Sequence, residues 1–540
     1  MDTEAAWGLA LKIIILLAFV GITVFIGIYF RKKARSVNNF VLGGRSIGPW
    51  LAAFAYGTTY FSAVVFVGYS GQFGWKFGTA ALWIGLGNAF IGALLPWIIL
   101  GKRTRVMTQH LGSATMPQFF GSRYNSKNLK IGASMLVFIF LIPYTASLYN
   151  GLSRIFAVAF GIDYIWCILG MAALTMIYVV VGGYFATAAN DFVQGIVMLF
   201  GIVVIIAAVL TANGGFMEAI KSLSEVPVGA GEGLQMQGGF TSFLGPDPIT
   251  LLGVVLLTSL GTWGLPQIVH KFYVIKSEKT IVKGAIISTI FAIIISGGCY
   301  FVGSFGRLFP GALELNAEGK PIYDSVIPNV IKSFTGIGGD LLVGLVIVLV
   351  LAASLSTLSG LVVTSSSTLT LDFIKGTIVK KEMKEKTQLI TIRVFVAVFI
   401  AISATIAIVQ AKSSVLFIAQ LMGISWGALA GAFLAPFLYS LYWKRVSKAA
   451  VWSCFGFSAG WMTFNLILNL AKVNILGLLQ SPINSGAFTM LAGLVIVPLV
   501  SLLTKAPPKE EVDSQFACYK AAGIGNTEEP AVAAEAQKAE

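Results

Sequence analysis

Ala353, Ser356 and Thr357 stand at i, i+3 and i+4 in an apolar run, LAASLSTLSG from Leu351 to Gly360, so a helix sets them on one face. A hydroxyl in a bilayer core costs free energy unless it is paired. Two hydroxyls beside small residues can bond back to carbonyls one turn earlier within a helix contact, or they can give neutral oxygens to a hard cation. The second use needs further oxygens from another segment. One early apolar stretch could supply them: about Trp50 to Gly74, interrupted by Gly57, Gly68, Gly71 and Gly74.

The chain that must position these groups is built for lipid. Of its 540 residues 56% are hydrophobic and only 11% are charged, and apolar runs recur that are each long enough to cross a hydrocarbon core of about 30 Å. The pattern predicts an all-α polytopic membrane protein with thirteen transmembrane helices. The net charge of +14 resides in short loops, which orients a membrane protein and gives no reason to invoke nucleic acid. Arg31, Lys32, Lys33 and Arg35 after the first span, then Lys102, Arg103 and Arg105, then Lys444, Arg445 and Lys448, place the N-terminus outside and the C-terminus in the cytoplasm. The opening MDTEAAWG is acidic where a signal peptide is basic, so the first apolar segment is expected to stay as a helix. Cys167, Cys299, Cys454 and Cys518 show no CxxC spacing, and His110 and His270 fall near loop ends rich in Lys and Arg, where they read as solvated loop residues. An enzyme with a buried nucleophile or a zinc centre is therefore disfavoured.

A later span, about Pro248 to Tyr273, is interrupted by Gly261, Gly264 and Pro266. It lies five spans after the Gly-interrupted one. An odd separation gives the two opposite orientation, as in a five-plus-five inverted repeat with two broken helices. Broken backbone at mid-membrane depth is tolerated where it is buried in protein or lines a cavity, so the breaks point to a binding site, the alternative being simple kinks. The expected organisation is an extra helix and cytoplasmic loop over 1–47, a repeat core over 48–443, peripheral helices over 444–504 and a disordered cytoplasmic tail over 505–540.

Four stretches, LGGRSIGPW (Leu42–Trp50), TTYFSA (Thr58–Ala63), VVGGYFATAANDFVQG (Val180–Gly195) and LAASLSTLSG, together resemble the sodium:solute symporter family, over nearly everything from Phe40 to about Leu503. WGLPQ at Trp263–Gln267 and VGSFGRLF at Val302–Phe309 look most like its pantothenate and monocarboxylate branch, with proline carriers close behind. The resemblance implies a sodium-coupled symporter in the cell membrane that imports a small carboxylate such as pantothenate. The alternatives are a sodium/proline symporter and a proton-coupled carrier of the same fold. It implies a sodium site made by the carbonyls of Thr58, Phe61 and Ala353 and the hydroxyls of Ser356 and Thr357. Five neutral oxygens suit a dehydrated monovalent ion, whereas calcium calls for carboxylates.

Some family members use the aspartate matching Asp191, with hydroxyls near Ser359, for a second sodium or its release. Here Gly360 stands where a second hydroxyl would be expected, and Asp191 could equally be an interfacial or helix N-terminal charge. Tyr60, Ser62, Trp263, Gln267 and Gln420 are candidates to contact the solute, though each residue type also serves packing. No carboxylate falls in either broken helix, which disfavours a cationic solute, while the positive ends of half-helices favour a carboxylate. Val65 stands where sugar-carrying relatives have Gln, so sugar is disfavoured.

Overall fold

A computed structural model describes residues 3–33, 35–228, 237–316, 319–375, 379, 383–413 and 418–524. Helix α1 (Thr3–Phe30) runs into the tight turn Arg31–Lys33. The first broken helix opens with α2 (Pro49–Tyr60), where Pro49 takes the first turn and needs no amide partner. The ladder stops at Phe61, whose φ of −104° and ψ of 104° are extended. The chain resumes as the π-helical Val64–Tyr69 and then α3 (Ser70–Phe77).

Helix α4 (Lys127–Phe160) is capped by Ser126 and closed by Gly161 at φ 64°. The continuous stretch α5 (Tyr164–Ala212) is far too long for one crossing and turns at Gly183, where φ is 60° and ψ is −171°. The second broken helix is α6 (Pro248–Gly261) and α7 (Pro266–Tyr273), parted at residues 262–265. Next come α8 (Glu278–Ser304) and a short antiparallel pair, β1 (Glu314–Leu315) and β2 (Pro321–Ile322), with Glu314 opposite Ile322. Then follow α9 (Gly336–Thr368), α10 (Glu385–Ser413), α11 (Ile418–Tyr442), α12 (Lys448–Leu470), α13 (Pro482–Leu503) and α14 (Lys509–Ala521). Helix α9, with the hydroxyl cluster, is buried along nearly its whole length and packs on α1, α2, α4, α5 and α10.

Eleven helices among the described residues are long and apolar enough to cross a membrane, against the thirteen expected. The difference has identifiable sources. Val64–His110 runs as one helical stretch across the turn at Gly78, and Tyr164–Ile177 is a shorter apolar helix. Helix α2 spans 12 residues. One boundary matters for chemistry: Asp191, which could have been an interfacial or helix N-terminal charge, lies about two turns inside the membrane-length helix Gly183–Ala212.

Small residues let the C-terminal half of the first broken helix touch its neighbour. A Cβ on Gly303 would overlap the Ser70 carbonyl, and one on Gly74 would overlap the Gly303 backbone. Gly303→Ala should therefore destabilise the protein by about 1–3 kcal/mol through overpacking. The check is a lower melting temperature for purified Gly303→Ala than for a Gly297→Ala control, whose added Cβ meets nothing within 4 Å.

Cations expected on one membrane face collect at one end. Arg45 donates to the Tyr273 carbonyl at 2.9 Å and the Ser113 carbonyl at 2.8 Å, and Arg105 donates to the carbonyls of Ile275 and Lys276. Just ahead of α2, Ile47 pairs with Ile275: its N–H donates to the Val274 carbonyl at 3.2 Å, and its carbonyl accepts from Lys276 at 3.1 Å. The entry to the first broken helix is thus stitched to the exit from the second. At the other end buried Asp324 accepts from the Ile418 N–H at 3.2 Å, capping α11. Burial pushes the Asp324 pKa up, against the pull of Arg154 and that N–H.

The disordered tail expected over 505–540 needs correction in its first part. Lys509–Ala521 is helical, with Val512, Gln515 and Tyr519 buried. Gln515 accepts from Arg123 at 2.9 Å and Asp513 pairs with Lys444 at 2.6 Å. Residues 525–540 lie outside the described residues.

Candidate functional site

The break in the first helix lies against the hydroxyl face of α9. Ser356 Oγ donates to Thr58 Oγ1 at 2.7 Å, which in turn donates to the Phe54 carbonyl at 2.8 Å. Thr357 Oγ1 is within donating distance of the carbonyls of Thr58 (3.2 Å), Thr59 (3.2 Å) and Ala353 (3.1 Å). All these residues are fully buried. The contrast along α9 is informative: Ser354, Ser359 and Ser367 bond back to their own helix, as membrane serines commonly do, whereas Ser356 reaches across to Thr58.

Thr58, Ala353, Ser356 and Thr357 are therefore brought together at the break. The carbonyl of Ser62 accepts from the amides of Val65 and Phe66, so the ladder passes over the Phe61 carbonyl, though no contact joins Phe61 to the α9 hydroxyls. The Phe61 ring stacks on Tyr60 with centroids 4.2 Å apart. The donor set is neutral oxygen, and it fits a dehydrated monovalent cation better than a divalent one.

Asp191 and Lys271 add a charged pair beside this cluster. Asp191 Oδ2 lies 3.6 Å from Lys271 Nζ, with side-chain exposures of 0% and 3%. The carboxylate also neighbours Ser356. Neither of its oxygens completes a hydrogen bond among the described residues. Lys271 Nζ sits over the Tyr184 ring, 5.2 Å from its centroid and within cation–π reach. The sequence reading missed this pair, because Lys271 looked like one of the loop lysines that close a span. It lies instead inside α7, on the buried half of a broken helix. His270 is corrected likewise: it is a helical residue whose ring lies 5.5 Å from Tyr184 and whose Nε2 is buried without a partner. Ser359 turns to the Ser356 carbonyl, and Gly360 faces Thr59, whose hydroxyl has no partner.

On the other side of the break the solute candidates separate into two groups. Tyr60 donates to the Thr258 carbonyl at 2.8 Å, Trp263 Nε1 to the Ile91 carbonyl at 2.9 Å, and Ser62 Oγ accepts from the Val64 N–H at 3.2 Å. All three are committed to backbone, and the Tyr60 bond joins the first broken helix to the second. Gln267, next to Pro266 at the start of α7, is 1% exposed, and both ends of its amide lack partners. Gln420 is half-buried near the start of α11.

The structure adds two aromatics that sequence reasoning did not single out. Trp426 lies 6.1 Å from Tyr60 and 5.9 Å from Tyr144 between ring centroids. The Tyr144 hydroxyl nears Ser62 and Trp426, yet neither it nor Trp426 Nε1 completes a hydrogen bond. Orphaned buried donors of this kind mark a place where a ligand or water completes the count. The available signal was Pro143 beside Tyr144 within an apolar run.

A sequence model described as the sodium:solute symporter family matches residues 40–456. The chain is 31% identical over 517 residues to sodium/proline symporter 2 of Staphylococcus saprophyticus, covering 94% of this chain and 95% of that protein. It is 30% identical over 501 residues to the sodium/proline symporter of Staphylococcus aureus strain JH9, covering 90% and 91%. The solved structure of a sodium-coupled sialic acid symporter, substrate-bound and outward-open, shares the fold with a TM-score of 0.69 at 17% identity, covering 92% of this chain and 99% of that one. With its many apolar helices, its match to the family model and relatives that share most of their length with it, this chain is an integral multi-pass membrane protein with sodium as its coupling ion, and it belongs to the sodium:solute symporter family.

Proposed function

We propose that the protein imports a small zwitterionic amino acid, proline being the first to test, together with sodium. The observation that carries the reading is the contact of Ser356 and Thr357 with Thr58 across the break. Sodium held there by the Thr58, Phe61 and Ala353 carbonyls and the two hydroxyls would tie α2 to α9 and set the shape of the break. The solute would lie on the opposite side of the break, against Tyr144, Trp426 and Gln267. The positive N-terminal end of α7, beside the unpartnered Gln267 amide, suits a carboxylate. The relatives named as sodium/proline symporters support an amino acid over pantothenate or another monocarboxylate. Aromatic walls suit a compact apolar ring.

Asp191, beside Ser356, serves sodium on its way out rather than a second resident ion. The two five-helix halves rock about the site, with the N-terminus outside and the basic face in the cytoplasm. Coupling requires that each ligand raise the affinity for the other by the same factor. A thermal-shift titration of the purified protein tests this. Proline should raise the melting temperature in sodium buffer and not in choline buffer, with pantothenate ineffective in both. Stabilisation by pantothenate and not by proline would overturn the choice of solute.

A further inference from the structure

Helix α1 ends in a basic run, and three of its side chains face one hollow. Arg31, Lys32 and Arg35 line a cavity of about 440 Å³ together with Arg393 of α10 and Val180 of α5. Four cations around one space repel one another unless negative charge sits among them. Among the described residues none of the four is ion-paired with a carboxylate. Glu385, about two turns before Arg393 on α10, is taken by the Val37 N–H at 2.9 Å.

Arg393 is the built part of the site. It is half-buried, its guanidinium lies 6.0 Å from the Phe40 ring centroid, and its Nε is buried with no hydrogen-bond partner. A guanidinium presents N–H groups in a planar fork that matches two oxygens of a phosphate, and this fork has an unused prong. Arg31, Lys32 and Arg35 are exposed, so an anion can enter from outside the bundle.

We propose that this cavity binds the phosphate of an anionic phospholipid at the basic membrane face. Two observations select a lipid over a soluble phosphate. The cations follow directly on the apolar span that ends at Phe30, which is headgroup depth. Lipid-facing apolar side chains on the same three helices, Tyr29 of α1, Ile177 of α5 and Ile390 and Val394 of α10, are each more than half exposed, and they offer a surface for acyl chains. A lipid held there joins α1 to α5 and α10, outside the two broken helices.

The test uses the full-length protein in dodecyl maltoside and native mass spectrometry. Dioctanoyl phosphatidylglycerol should be retained, while dioctanoyl phosphatidylcholine and inorganic phosphate at the same concentration should not. Each surface cation contributes about fivefold to binding an anionic lipid, so Arg31→Gln with Lys32→Gln should weaken retention roughly 30-fold. Both side chains are exposed and without a described partner, so this variant should melt with the parent; Arg393→Gln should weaken retention too. Equal retention of the two lipids, or equal retention by parent and variants, would overturn the site. Retention of inorganic phosphate without phosphatidylglycerol would overturn the lipid assignment in favour of a soluble anion.

Discussion

Ser356→Ala combined with Thr357→Ala should raise the sodium concentration for half-maximal solute uptake by about 100-fold or more. Hydrogen-bond-strength contacts to a charged group contribute about 1.5–3 kcal/mol each, and the double change removes two oxygens from the proposed shell. The packing cost is small by comparison, because Ala keeps the small side chains that the α2 and α9 contact needs. Ser356 now spends its proton on Thr58, and Thr357 reaches three carbonyls, so neither hydroxyl is needed to close its own helix. Uptake into proteoliposomes across a sodium series, beside the amount of folded protein in the membrane, separates the effects. An unchanged sodium requirement with well-folded protein would remove these hydroxyls from the ion site. Ser354→Ala is the control, since its hydroxyl bonds back to Val350 at 2.7 Å and faces no broken helix contact.

The second large effect is expected at the buried pair. Removing one member of a buried ion pair leaves the other charge uncompensated and costs about 3–5 kcal/mol, whereas removing both can be nearly neutral. Lys271→Met and Asp191→Asn should therefore each lower the melting temperature sharply, and the double variant should recover most of the loss. Folding and transport should then part company. If Asp191 guides sodium past Ser356, the double variant is folded and slow in uptake. Parental uptake by the double variant would make the pair purely structural.

The hydroxyl cluster was legible because its spacing is local. Three residues at helical spacing share a face wherever the helix is placed, and glycines in an apolar run announce a weak point in a helix. Partners drawn from separate spans were less so. Lys271 falls at the lysine-rich end of an expected span, and only the fold shows that α7 carries it beside Asp191 and Tyr184. Trp426 becomes meaningful once Gly261 lets its ring approach the second break. Asp191 was open to a reading as an interfacial or helix N-terminal charge, yet Gly183 takes the positive φ eight residues earlier within a continuous helical stretch. In the tail, composition hid a stripe of Val512, Gln515 and Tyr519 at helical spacing that buries against the helices Lys102–His110 and Met116–Arg123.

The two hydrogen bonds of Ile47, to Val274 and from Lys276, carry a consequence for leakage. They fasten the floor beneath both discontinuous helices with one seam, so a displacement that unseals the base on the ion's side tugs at the solute's side as well. Opening the base under one broken helix must therefore break backbone bonds to the other, so the two parts of that floor part together.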